Sequence, residues 1–264
     1  MVPLIVGHRD AIERRVFAQR EELAALNGEL ARLNEEKNEF MAITAHDRRA
    51  PLATVRGLAE QLEAGRFAGA AQGRAHGAIR DLSERMLGLV NDYLGVHAAE
   101  SGTLPVRSER LDLAAAARAA GERHVAAAAA KGQRIKVGAS EPVWVRADGA
   151  LLAQVVDNFV GNALKFSPRG AEVRLDLARA PSGGEVRLEV SDEGPGIAAA
   201  EQAGLFRKFG RASAKPTGGE TSHGLGLAVA KRLAEAMGGS VGCESPVNAG
   251  GTGARFWVRL PGEV

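Results

Sequence analysis

The chain of 264 residues contains one cysteine, Cys243. A single thiol cannot form an intramolecular disulfide or a thiolate metal cluster, and it fits a reducing compartment. No run of about eighteen apolar residues occurs, so no segment reads as a membrane span. The first residues also lack the layout of a secretory signal. The chain is therefore expected to be soluble and cytoplasmic. It has no excess charge of one sign: the net charge is +2, with Lys and Arg spread among almost as many Asp and Glu. That balance gives no case for nucleic acid and reads as solvated helix faces. There are no internal repeats, and the length suits one large or two modest domains.

What is present begins with a heptad seam. Ile12, Val16, Gln19, Leu23, Leu26, Leu30, Leu33, Lys37 and Phe40 alternate spacings of four and three, which argues for paired helices. Continued in register, the seam passes through Thr44, Asp47 and Pro51. His46 then lies about 100° off it, with its imidazole expected toward solvent. Pro51 cannot donate to the carbonyl of Asp47, so the helix should bend there. On its own, an exposed His46 beside Asp47 reads as a surface histidine as readily as a nucleophile.

The helix runs on to about Ala64, with Leu52, Val55, Leu58, Ala59 and Leu62 on one face. Gly65–Gly73 reads as a turn and Ala75–Ala99 as a second helix, with Ile79, Leu82, Met86, Leu89, Val90 and Tyr93 forming its stripe. A hairpin with one stripe has too little core alone. Pairing of two copies into a four-helix bundle is expected, making a homodimer through the hairpin and coiled coil.

Beyond Ser101-Gly102 the pattern changes. Strands are expected at Leu111–Leu113, Ile135–Val137, Val143–Val145, Val173–Leu177, Val186–Val190, Ser240–Glu244 and Ala254–Leu260. Helices are expected at Ala114–Lys131, Gly149–Phe166 and Gly224–Met237, the first two capped by Asp112 and Asp148. Interleaved elements without a regular βαβ repeat favour an α/β sandwich, a mixed sheet covered by helices on one face. Trp144 and Trp257 fall in strands and are assigned to the core.

Four stretches in this half carry chemistry. Asn158, Asn162 and Lys165 stand at i, i+4 and i+7 on one helical face. They form either a polar outer face or a set aimed into a cleft, where carboxamides and an ammonium can hold hydrated magnesium and phosphate oxygens. Asp192-Glu193-Gly194-Pro195-Gly196-Ile197 follows a strand directly, so its carboxylate can accept from an exocyclic amine. Ser222-His223-Gly224-Leu225-Gly226-Leu227 opens a helix whose first N–H groups suit phosphates. Between these, Leu205–Arg211 and the breaker-rich Ala212–Thr221 read as a flap rooted by Phe206 and Phe209.

In order and spacing these pieces resemble the histidine protein kinases of two-component signalling. Asn158–Phe166 is similar to the N box, Asp192–Ile197 to the G1 box, Phe206–Arg211 to the F box and Gly224–Leu227 to the G2 box. Phe40–Leu52 is similar to the H box. The resemblance implies an α-helical hairpin forming a dimeric four-helix bundle, followed by an α/β sandwich of the GHKL (Bergerat) type that binds ATP. Its domains would be a remnant of a PAS-like sensor at 1–11, a coiled-coil signalling helix at 12–38, the dimerisation and histidine phosphotransfer domain at 39–104 and the catalytic domain at 105–264. Asp10, Glu13 and Arg14 carry the PAS-like junction.

The resemblance also implies roles. His46 and Asp47 would be catalytic, with His46 the phosphoacceptor. Asp192 would bind the adenine amine. Asn162 would coordinate Mg2+ with Asn158 beside it, and Lys165 would touch phosphate. Gly194, Gly196, Gly224, Leu225 and Gly226 would shape the ATP pocket. The partners implied are an upstream sensor domain and the receiver domain of a response regulator, with no nucleic acid, in the bacterial cytoplasm as the soluble portion of a larger sensor. A GHKL ATPase without signalling, a degenerate nucleotide-binding dimeric scaffold and a serine-directed kinase are the competing readings. His8, His76, His97 and His124 lack metal-ligand spacing and are read as surface or packing residues.

The chain departs from the family pattern at three places: Arg48 replaces an apolar residue, Ser222-His223 the first Gly-x of the G2 box, and Ala50 a Thr or Asn that would orient water for dephosphorylating the regulator. Little phosphatase activity is expected from Ala50, and Ala50→Thr should raise it. Rapid loss of label from a phosphorylated receiver domain with wild type, unchanged by the substitution, would sink this reading.

Overall fold

The computed structural model describes residues 19–21, 23, 26–28, 51–100, 104–139, 141–179, 184–208, 210, 212–218, 224–248 and 250–263, with the side chains at 84, 85 and 89–100 left aside. Most of the heptad seam, together with His46, Asp47 and the segment preceding Pro51, lies outside these residues. The described positions among 19–28 are helical. The chain divides into two compact units, Met1–Gly88 and Leu89–Val264.

The first unit contains a helix at 51–63 (α1) and the start of a second, α2 (Ala70–Glu100), which runs on past Gly88. The second helix begins at Ala70, five residues before its expected start. Gly65 and Gly69 both take positive φ, +64° and +54°, and complete the turn. Ala70 and Ala71, strong helix formers, can then start α2 at once. Val55, Leu58, Ala59, Leu62, Ile79, Leu82 and Met86 are half-buried in the single chain, whereas Leu52 is exposed.

The second unit begins with β1 (Glu109–Asp112) and α3 (Leu113–Ala130). Leu113, expected at the end of the strand, is instead the first helical residue. Asp112 accepts from the Ala114 amide at 3.0 Å, which ends the extended run one residue earlier. Then come β2 (Arg134–Val137), β3 (Trp144–Ala147), α4 (Gly149–Phe166), β4 (Glu172–Arg179) and β5 (Glu185–Ser191). The short α5 (Ala199–Gln202), α6 (Gly226–Ala236), β6 (Ser240–Glu244) and β7 (Arg255–Pro261) complete it.

The main sheet has the order β2-β4-β5-β7-β6, with β2 parallel to β4 and the other pairs antiparallel. β1 and β3 form a separate antiparallel pair. Alternation assigns the faces. Val186, Leu188, Val190, Phe256, Val258 and Leu260 point to a core shared with Leu152, Val156, Phe159, Val160, Val229 and Leu233 of the helices. At its centre Phe159 stacks on Phe256 with ring centroids 5.8 Å apart. This is the mixed-sheet sandwich expected from the sequence.

The two tryptophans are a correction. Trp144 is 39% exposed, under the Arg110 guanidinium at 4.2 Å. Trp257 shares the opposite sheet face with Arg187 and Arg259, which lie 4.1 and 5.1 Å from its ring. Each indole is covered by arginine stacking rather than by the helices.

Helix α4 depends on its cap. Asp148 accepts from the amides of Ala150 and Leu151 with one oxygen and of Arg107 with the other. Burial works to raise its pKa, but these N–H donors outweigh it and the carboxyl titrates below its ordinary value. Its contribution is therefore present above the ordinary carboxylate range and lost as pH falls through the lowered pKa. Asp148→Ala is expected to lower unfolding stability by about 1–2 kcal/mol at neutral pH. Chemical denaturation should show that difference shrinking in acid.

Candidate functional site

The polar residues expected to act together are carried by α4, the end of β5 and the start of α6. On α4, Leu152, Val155, Val156, Phe159, Val160 and Ala163 are buried, and the intervening positions Asn158, Asn162 and Lys165 are half-buried. Asn158 Nδ2 donates to the Gln154 carbonyl at 3.0 Å. A Cβ added at Gly226 would lie 2.5 Å from Asn158 Oδ1, so glycine is what lets α6 approach α4 this closely. The Asn162 carboxamide makes no hydrogen bond among the described residues, which leaves its oxygen free to serve a ligand.

Helix α6 starts after Gly224, at φ +68°, and the buried Leu225. Among the described residues no side chain caps it. Its first N–H groups therefore remain available beside Asn158.

At the end of β5, Asp192 is 6% exposed. Its backbone continues the sheet, with its N–H donating to the Ala254 carbonyl at 2.8 Å. Its Oδ1 accepts from the amides of Gly194 at 2.8 Å and Ala254 at 3.0 Å. Oδ2 accepts no hydrogen bond among the described residues, so the carboxylate is fixed by one oxygen and keeps the other for an incoming donor. Burial pushes the Asp192 carboxyl above its ordinary pKa, against the pull of the two amides. The nearby Cys243 thiol is pushed up to about 12 by burial and by the charges of Asp192 and Glu244, and is therefore inert.

The glycine turn after Asp192 is held by a segment that sequence reasoning missed. The Gly253 amide donates to the Gly194 carbonyl at 2.8 Å, and Asn248 Nδ2 to the Asp192 carbonyl at 3.3 Å. Ser245 Oγ accepts from the Ile197 amide at 2.8 Å and donates to the Gly253 carbonyl at 2.7 Å. Gly196, at φ +80°, lets the turn pass under this clamp. The run Gly250-Gly251-Thr252-Gly253 ahead of the last strand was the available signal.

The structure thus joins Asn158 to Gly226, and Asp192 to Gly194. It roots the F-box stretch through Phe206, whose ring meets Phe256 edge-on at 6.4 Å. Phe209, Arg211, Ser222, His223, His46 and Asp47 lie outside the described residues. His124 packs between helices as read: its Nε2 lies 3.2 Å from Asp157, which Arg123 also contacts at 2.9 Å. That contact ties α3 to α4. Among the described residues no group of three or more His, Cys, Asp or Glu could hold a metal. A carboxamide oxygen such as that of Asn162, completed by water and phosphate oxygens, is a donor set that magnesium accepts.

Residues 36–102 match the family described as "His Kinase A (phospho-acceptor) domain", and residues 147–264 match "Histidine kinase-, DNA gyrase B-, and HSP90-like ATPase". The chain is 35% identical over 243 residues to the sensor protein DivL of Caulobacter vibrioides, covering 90% of this chain and 30% of DivL. The chain belongs to the sensor histidine kinase family. It is 31% identical to the sensory/regulatory protein RpfC of Xanthomonas campestris pv. campestris, over 86% of this chain and 32% of RpfC. It spans about a third of the length of these curated relatives. The structure of full-length ShkA in complex with AMPPNP superposes with a TM-score of 0.62 at 31% identity, covering 86% of this chain and 46% of that one.

Replacing Asp192 by Asn preserves an oxygen for the two amides and removes the open acceptor. Because the native carboxylate is buried against its preference, Asp192→Asn should leave the melting temperature unchanged or raised. Nucleotide binding should fall at least about tenfold, the effect of losing a charge-assisted hydrogen bond. Binding by wild type should weaken in acid at a higher pH than an ordinary aspartate would give. Calorimetric titration of both proteins across pH checks all three.

Proposed function

We propose that this chain is the kinase core of a bacterial sensor, which phosphorylates itself on His46 from ATP and passes the phosphoryl group to an aspartate of a response regulator. The observation that carries the reading is Asp192, whose Oδ1 is locked by two amides while Oδ2 is left open beside a glycine turn. This is a preformed acceptor for an adenine amine. In this reading Asn162 and Asn158 face the magnesium and phosphates from α4, Lys165 contributes a positive charge at the last turn, and Gly224, Leu225 and Gly226 present the N-terminus of α6. Magnesium, when bound, supplies charge neutralisation and alignment of the transferring group. ShkA, solved with an ATP analogue, supports the same ligand class here.

His46 and Asp47 are assigned from the H box. Asp47 accepts the proton from one imidazole nitrogen, and the other forms the bond to the γ-phosphorus as the bond to the bridging oxygen breaks and ADP leaves. A neutral imidazole, of reference pKa about 6.5, is a competent nucleophile near neutrality. We assign 1–11 to a PAS-like sensor remnant, 12–38 to a coiled coil, 39–104 to a homodimeric phosphotransfer domain and 105–264 to the catalytic domain. Among the described residues no helix is long and apolar enough to cross a membrane. This supports placing the core in the cytoplasm.

Incubation with γ-labelled ATP and magnesium should label wild type with an acid-labile group, and neither His46→Ala nor Asn162→Ala. Acid-stable label would select a serine-directed kinase. Binding of nucleotide without label would select a regulatory scaffold.

A further inference from the structure

The last carbonyls of a helix have no partners within it and must find them elsewhere. At the C-terminal end of α4 the Ala163 carbonyl is taken by the Ser167 amide. The next ones are satisfied by residues far away in sequence. Lys131 Nζ donates to the Leu164 carbonyl at 3.0 Å, and Gln133 Nε2 lies 3.1 Å from the same oxygen and 3.0 Å from the Ser167 and Pro168 carbonyls. Thr217 takes the Lys165 carbonyl with its amide at 3.0 Å. Its Oγ1 lies 3.0 Å from that carbonyl and 2.8 Å from the Ser167 carbonyl, and accepts from Lys131 Nζ at 3.4 Å.

Thr217 belongs to residues 212–218, between the F-box stretch and Gly224. Its amide and hydroxyl reach the end of α4, and so it holds the turn that carries Lys165. We propose that Thr217 is a positioning residue for nucleotide. Its hydroxyl latches the 212–218 segment onto the last turn of α4, so that the phosphate side of the site is ordered before ligand arrives. This rests on the nucleotide-binding reading above and adds a residue to it.

Without the hydroxyl the segment samples other arrangements, and nucleotide must order it on binding. Apparent affinity then falls by the fraction of molecules already latched. Thr217 is exposed, and a net hydrogen bond of ordinary strength corresponds to a loss of about fivefold. Since Thr217 touches no reacting atom in this scheme, the turnover rate stays.

The test uses the full chain as wild type, Thr217→Val, which keeps the shape, and Thr217→Ser, which restores the hydroxyl. A ribose-labelled fluorescent ATP gives Kd, autophosphorylation gives KM and kcat, and thermal melts report folding. We expect Kd and KM about fivefold higher in Thr217→Val with kcat within about twofold, and Thr217→Ser at the wild-type values. Wild-type Kd in a folded Thr217→Val overturns the proposal, as does a fall in kcat with KM unchanged that Thr217→Ser does not rescue. If Thr217→Val does not melt cooperatively, Lys131→Met, which removes the donor to Thr217 Oγ1 and Leu164, replaces it under the same criteria. No binding by wild type overturns the nucleotide reading itself, a result separable from an unchanged variant.

Discussion

The structure depends on α4 being buried from several sides while keeping three polar side chains usable. Phe159 and Val160 anchor it against the sheet, and α3 and α6 flank it. A helix so enclosed cannot shift by a fraction of an ångström without opening voids or clashes. Asn158 and Asn162 therefore inherit the rigidity of the hydrophobic core, although neither belongs to it. The closeness of Gly226 to Asn158 is the same constraint seen from α6. A Cβ at Gly226 would press on Asn158 Oδ1.

Much of this was legible because the signals are local. Asp112 and Asp148 mark their helices by a carboxylate one position ahead of an alanine- or leucine-rich run, and both cap as read. The strands alternate, and Asn158, Asn162 and Lys165 share a face by spacing alone. The error at Leu113 is of the same local kind, since a leucine suits either the strand end or the first helical turn, and the cap at Asp112 decides between them.

The tryptophans show a second way that reading fails. In Arg255–Pro261 the alternation itself puts Trp257 with Arg255 and Arg259, opposite Phe256, Val258 and Leu260. Size and hydrophobicity assigned the indole to the core, whereas strand parity assigned it to the charged face. Parity prevailed because Arg187 and Arg259 offer flat, weakly hydrated surfaces that cover an indole without the helices. The clamp at Ser245, Asn248 and Gly253, and the bonds of Lys131, Gln133 and Thr217 to α4, were illegible for another reason. They join residues as far as 86 positions apart through side chains of ordinary type, and no local pattern announces such a pairing.

The clamp contacts of Ser245, Asn248 and Gly253 gather around a carboxylate that the fold desolvates. Asp192 is a carboxylate held at a strand end against desolvation, and its raised pKa means that the ionised form is disfavoured by the folded environment at neutral pH. Two amides on Oδ1 offset part of that. They come from Gly194 and Ala254, so the turn on one side and the last strand on the other must both be in place before the charge is tolerated. The bonds from Gly253 to Gly194, and through Ser245 to Ile197, hold those amides in position. An open oxygen on a buried carboxylate is thus affordable only inside a tightly cross-linked neighbourhood. A donor from outside would remove the remaining part of the penalty, which makes ligand binding and local stability two readings of one free energy.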